Sequence, residues 1–145
     1  MAFPKLKYFK ESEFHEPEKM NHDLLYKLDS YRDYIGVSII ITSSTDGIHV
    51  KNSQHYLGNA VDIVIPDRKG SLIAQYLIAE RFNFSGIGIY PDWCYNGDVI
   101  GGFHLDMRPL ANNQGARWIG KKSPDGKTQY IPLSVKFLKK YKILI

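Results

Sequence analysis

The chain reads as an α+β domain in which helices pack on a small, mainly antiparallel sheet. Three observations predict this: a long amphipathic helical pattern near the N-terminus, several short apolar or β-branched runs after it, and no regular strand–helix alternation that would build a parallel sheet. Its 145 residues suffice for one hydrophobic core of ordinary size. No internal repeat, low-complexity segment or linker divides them, so residues 1–145 are expected to form a single domain.

The elements follow from local pattern. Asn21 can cap a helix running from about His22 to Ile35, because Leu24, Leu25, Leu28, Tyr31 and Ile35 keep the 3.6-residue period and Gly36 supplies a stop. Val37 to Thr42 is rich in β-branched residues and predicts a central strand. A polar loop from Ser43 to Asn52 leads towards Ala60–Ile65, an apolar run that predicts a buried strand with Asp62 in its midst. Ser71 to Phe82 predicts a second amphipathic helix, and Gly86–Tyr90 and Phe103–Met107 predict further strands. In the last of these, the two-residue period puts His104 and Asp106 on one face and Phe103 and Leu105 on the other. Ser123-Pro124-Asp125-Gly126 predicts a turn, and the tail towards Ile145 a short helix or strand.

Composition narrows the class. Apolar content of 43% and charged content of 23% are those of a globular protein. No apolar run approaches the roughly 20 residues that span a bilayer, so no transmembrane segment is expected. Met1 to Lys7 is positively charged but lacks a following apolar stretch, so no secretory signal is expected. Synthesis in the cytoplasm, with any action elsewhere only after release or delivery, is the corresponding expectation. The single cysteine, Cys94, excludes an intramolecular disulfide. A formal charge of +4 comes largely from a basic C-terminal segment, 121–145, with Lys121, Lys122, Lys127, Lys136, Lys139, Lys140 and Lys142. No helix-turn-helix, RNP or zinc-finger pattern accompanies it, so these lysines read as a solvated face and no specific nucleic-acid partner is expected. The chain is expected to be a monomer.

Chemistry concentrates in two stretches: Ser53-Gln54-His55-Tyr56-Leu57-Gly58-Asn59-Ala60-Val61-Asp62 and Phe103-His104-Leu105-Asp106. Imidazole nitrogen and carboxylate oxygen are the donor types of catalytic zinc sites, in which the protein supplies three groups and leaves a fourth position open. His55, Asp62 and His104 fit that set. An unpaired carboxylate in the middle of an apolar strand would be costly, and a bound cation removes the penalty. Gly58 and Ala60 are the small residues expected where the backbone passes close to another group.

Together these stretches resemble the superfamily of zinc D,D-carboxypeptidases and peptidoglycan endopeptidases that also includes the Hedgehog signalling domain. The first matches its Ser-x-His-x-x-Gly-x-Ala-x-Asp signature at every fixed position. Phe9, Glu13-Phe14, the helix from Leu24 to Arg32, the strand Ile39–Ser43, Gly86-Ile87-Gly88-Ile89-Tyr90-Pro91, the His-x-Asp at His104 and Arg117-Trp118 follow in the order of one branch. The similarity spans roughly residues 9–118. It implies a Hedgehog/D,D-peptidase-like fold, a zinc cofactor and hydrolysis of amide bonds in peptidoglycan peptides.

Two departures qualify what the resemblance implies. Carboxypeptidase-like members carry an acidic residue three positions before the last histidine, where this chain has Gly101. Asp106 is the preferred general base, Asp98 the alternative, and the other role open to Asp106 is to orient a ligand histidine. Many relatives also carry a carboxylate-gripping arginine in the loop after the first strand, whereas Ser43-Ser44-Thr45-Asp46-Gly47 has none. Arg108 or Arg117 could take its place, with Arg117 equally a support of the fold beside Trp118. Ser53 is expected to bond the substrate or its own turn. Tyr90, Trp93 and Tyr95 either wall a peptide groove or pack within turns. His49 reads as a solvated loop residue, His15 and His22 as a solvated lead into the first helix, and Cys94 as a structural or loop cysteine.

The function these features predict is a zinc metallopeptidase cutting stem peptides or cross-links of peptidoglycan, as a phage-type endolysin or a wall-remodelling enzyme. The alternative is a non-catalytic zinc-containing binding or virion-structural module of the same fold.

Overall fold

A computed structural model describes residues 2–133 of the chain. Helix α1, His22–Ile35, forms where the apolar period places it: Asn21 caps it by accepting from the Leu24 amide, Gly36 ends it at φ 72°, and Leu24, Leu25, Leu28, Tyr31 and Ile35 are buried. Helix α2, Leu72–Ala79, is capped by Ser71 and tightens into a 3-10 turn over Glu80–Phe82. The two helices are tied by the Tyr31 hydroxyl donating to the Gln75 carbonyl at 3.0 Å.

Six strands build the main sheet: β1 Ile40–Ser43, β2 Ala60–Val64, β3 Gly86–Tyr90, β6 Gly102–Asp106, β7 Ala116–Lys122 and β8 Thr128–Pro132. A hairpin of β4 Cys94–Tyr95 and β5 Asp98–Val99 stands apart as a second small sheet. The main order is β1-β2-β6-β3-β7-β8, antiparallel except for the parallel pair β3–β7. The architecture is therefore mixed α+β with few helices and a mainly antiparallel sheet. No described helix is long and apolar enough to cross a membrane.

One expectation needs correcting. The run Val37–Thr42 is not a central strand: β1 begins at Ile40 and lies at the sheet edge, half-buried, its β-branched residues serving one covered face rather than two. The turn expected at Ser123-Pro124-Asp125-Gly126 is present: Lys121 and Lys122 belong to β7, and residues 123–127 lead into β8. The turn is closed by Gly126 N–H to Ser123 C=O at 2.9 Å. Lys136, Lys139, Lys140 and Lys142, with the expected terminal helix or strand, lie outside the described residues.

Strand pairing sorts the side chains onto two faces. Val61, Ile63, Phe103, Leu105, Ile87, Ile89 and Ile119 are fully buried with α1 and α2 in one core. The opposite face carries Asp62 beside His104, His104 beside Gly88, and Gly86 beside Asp106. That face holds the chemistry. The chain enters it through a tight turn at Gly58, with φ 74°, whose carbonyl accepts from Asn21 N at 2.9 Å. A side chain at Gly58 would run into the backbone carbonyl of Lys19, as well as straining a left-handed residue. Gly58→Ala is thus expected to destabilise the fold by at least about 3 kcal/mol, read as a shift in urea midpoint with unchanged slope. A loss below about 1 kcal/mol would show that the segment before α1 yields instead.

Candidate metal centre

β2 and β6 are neighbours in the sheet, so their register alone places Asp62 against His104, while the connection from β1 to β2 folds back to bring in His55. Nε2 of His55 lies 3.1 Å from Asp62 Oδ1 and 3.1 Å from His104 Nδ1, and the last two atoms are 3.2 Å apart. A tetrahedral ion held at about 2.0–2.1 Å by three ligands separates them by about 3.3–3.4 Å, so this near-equilateral triangle fits one face of such a tetrahedron. His55 and His104 are 2% and 7% exposed, which removes water as an alternative partner for most of their surface.

The far nitrogens of both rings decide what faces the triangle. His55 Nδ1 meets the Ser44 carbonyl at 2.8 Å, and a carbonyl only accepts, so Nδ1 carries the proton and Nε2 offers a lone pair. His104 Nε2 meets Asp106 Oδ2 at 2.7 Å, so Nε2 carries a proton and, in the neutral ring, Nδ1 offers the lone pair. Two imidazole lone pairs and a carboxylate oxygen then converge, an arrangement of like partial charge that only a cation or a shared proton relieves. The donor set fits a divalent metal of the borderline class to which zinc belongs.

Asp106 stands behind His104, away from the triangle, and is fully buried. Arg108 grips it through Nε at 3.0 and 2.9 Å and Nη2 at 2.6 Å, and the Arg108 amide adds a bond at 3.0 Å. A side chain at Gly86 of β3 would occupy the space of this carboxylate. Burial pushes the Asp106 carboxyl up, but His104 and Arg108 outweigh it and hold it at about 2. With both oxygens engaged, Asp106 fixes the His104 ring from behind, the geometry of the orienting role that the sequence left open to it. Burial opposes charge on Asp62 and His104 too, yet their mutual contact and their other partners hold the Asp62 carboxyl low and the His104 imidazole high.

His49, read from sequence as a solvated loop residue, is part of the centre. His49, His55 and Asp62 each bring one ligand-type atom within 4.8 Å of the others, a group that could hold a metal ion. The His49 ring stacks on that of His55, with centroids 3.9 Å apart and planes 6° from parallel. Five residues of loop between the two histidines hid this, since no strand or helix period links them. A second unexpected participant is His15. Its backbone amide donates to Ser44 Oγ at 2.9 Å and its carbonyl accepts from Thr45 Oγ1 at 2.9 Å, pinning the residue whose own carbonyl sets the His55 tautomer.

The remaining candidates separate clearly. Trp118 leans across Gly88, 5.1 Å from the His104 ring, with the Arg108 guanidinium 5.0 Å over its indole. Trp118 Nε1 donates to the Tyr90 hydroxyl at 2.9 Å, so the proton of that hydroxyl remains for another acceptor. Burial pushes Tyr90 up to about 12, keeping it a neutral donor. Trp93 stacks on Tyr90 at 4.3 Å, while Tyr95 pairs with Asp98 in the outer hairpin. Ser53 serves its own turn, accepting from the His55 amide at 3.2 Å. Arg117 bonds Glu80 at 2.6 Å and the carbonyls of Phe84 and Ser85, so it supports the fold. Asp98 and Cys94 are exposed on the hairpin and His22 opens α1. At Gly101, with φ 72°, a side chain would point at α2, 2.7 Å from Leu72 Cδ2, and not at the triangle.

Asp106→Asn is expected to lower metal affinity about 10–100-fold while stoichiometry stays at one ion, measured by chelator competition. Unchanged affinity would remove the orienting role. No family model, curated protein or solved structure matches the chain, so its own geometry is what any functional reading must stand on.

Proposed function

We propose that the chain is a zinc metallopeptidase of the D,D-peptidase and Hedgehog fold class, hydrolysing amide bonds in the stem peptides or cross-links of peptidoglycan. The observation that carries the reading is the convergence of His55 Nε2, Asp62 Oδ1 and His104 Nδ1, with both histidine tautomers set from behind by Ser44 and Asp106. Three protein ligands are the number that leaves a position for water and substrate. When bound, zinc supplies a nucleophile by lowering the pKa of water to about 7 and polarises the scissile carbonyl.

The chain's own residues do the rest. Asp106, held by Arg108, keeps His104 in the tautomer and plane that bind. Tyr90 presents its hydroxyl proton towards developing negative charge on the carbonyl oxygen. Arg108 commits Nε and Nη2 to Asp106, and its remaining nitrogen, Nη1, is the donor for a substrate carboxylate. A phage-type endolysin or a wall-remodelling enzyme would both use this arrangement.

The second reading is a zinc-containing binding or virion-structural module without hydrolysis. It is favoured by Gly101, where the acid of carboxypeptidase-like members has no counterpart facing the centre. Incubating zinc-loaded and chelated protein with intact peptidoglycan, and following released fragments by mass spectrometry, decides between the two. Zinc-dependent fragments that disappear in His104→Ala are expected. One tightly bound ion with no fragment from several wall types would establish the binding module. Within the enzyme reading, Tyr90→Phe is expected to lower kcat/KM about 100-fold at unchanged zinc content.

A further inference from the structure

The loop that joins β1 to β2 exposes Ile48 completely and Val50 by 72%, yet turns the residue between them inward. His49 is held there from several sides. Its Nε2 bonds the Asp46 carbonyl at 2.7 Å and Ser43 Oγ at 3.1 Å, while the Tyr56 hydroxyl accepts from its amide at 2.7 Å and donates to its carbonyl at 3.2 Å. Ser43 pairs with Asp62 across β1 and β2, and Tyr56 follows His55, so two of the three anchors of His49 lie in a ligand's immediate neighbourhood. A loop so constrained around one imidazole is built to place it.

We infer that His49 is a positioning residue that fixes the plane of His55 and is not itself a ligand, so that the protein contributes three donors and the coordination sphere stays open. The inference rests on the reading that His55, Asp62 and His104 hold the ion. Its reason is geometric. An imidazole binds a metal along the lone pair, in the plane of the ring, at about 2.0–2.1 Å. The planes of His49 and His55 are 6° from parallel and their centroids 3.9 Å apart. An ion in the plane of His55 then lies about one ring thickness, roughly 3.5 Å, outside the plane of His49, where that ring has no lone pair to give. The proximity of the His49 nitrogen to His55 and Asp62 follows from the stack itself. His55 sits on a turn and not on a strand, so nothing in the sheet prevents rotation of its ring. The stack on one side and the Ser44 carbonyl at Nδ1 together remove that freedom.

The test uses the full chain with Zn²⁺ and Co²⁺, comparing wild type with His49→Phe, His49→Ala and His104→Ala. Affinity is read by chelator competition, coordination by the visible absorption of the Co²⁺ form, and folding by circular dichroism. Both His49 variants are expected to keep the wild-type Co²⁺ spectrum. His49→Ala should weaken binding about 10-fold or more, and His49→Phe, which restores a flat ring, should recover most of it. His104→Ala should lose more than about 100-fold, beyond what a supporting residue costs. A Co²⁺ spectrum altered in His49→Phe, with a loss as large as in His104→Ala, would make His49 a fourth ligand and overturn the inference while leaving the other ligands standing. Unchanged affinity in His49→Ala would overturn the positioning role. Retention of tight binding in His104→Ala, with loss in both His49 variants, would instead overturn the ligand set on which the proposed function rests.

Discussion

The register between β2 and β6 is the constraint from which the rest of the centre follows. It sets Asp62 opposite His104 and Ala60 opposite Asp106, and the neighbouring strand β3 then offers Gly88 and Gly86 as the floor beside those two residues. A slip of one residue would turn His104 and Asp106 into the core and Phe103 and Leu105 out to the solvent. The same strands prevent it from their other face, where Val61, Ile63, Phe103, Leu105, Ile87 and Ile89 are all fully buried. Each such side chain contributes about 1.5–3 kcal/mol by its burial, so the hydrophobic core enforces the position of a polar site it never touches.

His55 is held by different physics. It lies outside the sheet on the turn that leads into β2, and the residues around it are anchored by hydrogen bonds more than by apolar contact. Ser44 C=O fixes its tautomer, Ser53 accepts from its amide, and the His15 backbone steadies Ser44 in turn. One corner of the triangle therefore depends on a polar network spread from the N-terminal segment to the loop, and the other two on strand pairing. A buried polar network of this kind specifies geometry because each unmade bond would leave a desolvated group.

Charge in the centre is balanced in a chain. Asp106 lies between His104 and Arg108, and Arg108 lies over Trp118, whose indole in turn meets the Tyr90 hydroxyl. The buried carboxylate thus has a cation and an imidazole as partners, the condition under which burying a charge is tolerable. This sequence of contacts also explains the glycines of β3, since Asp106 and Trp118 occupy the volumes that side chains at Gly86 and Gly88 would need.

Much of this was readable in the chain itself. Helix α1 could be drawn to its ends, because its cap, its apolar period and its terminal glycine are local properties of residues 21–36. The alternation of Phe103, His104, Leu105 and Asp106 also determined which of them share a face, since side chains in any strand point alternately to its two sides. Other features depended on partners far along the chain. β1 is an edge strand because of where β2 and β6 pair, and β-branched composition is the same at an edge as at a centre. Asp106 orients His104 because Arg108 and the space over Gly86 leave it no other direction, which residue spacing alone left open. His49 meets His55 only because the loop between them closes on Ser43, Asp46 and Tyr56. Sequence by itself determined the element types and the donor chemistry, which are local; tertiary structure decided the role of each polar residue, because a lone pair acts only where folding points it.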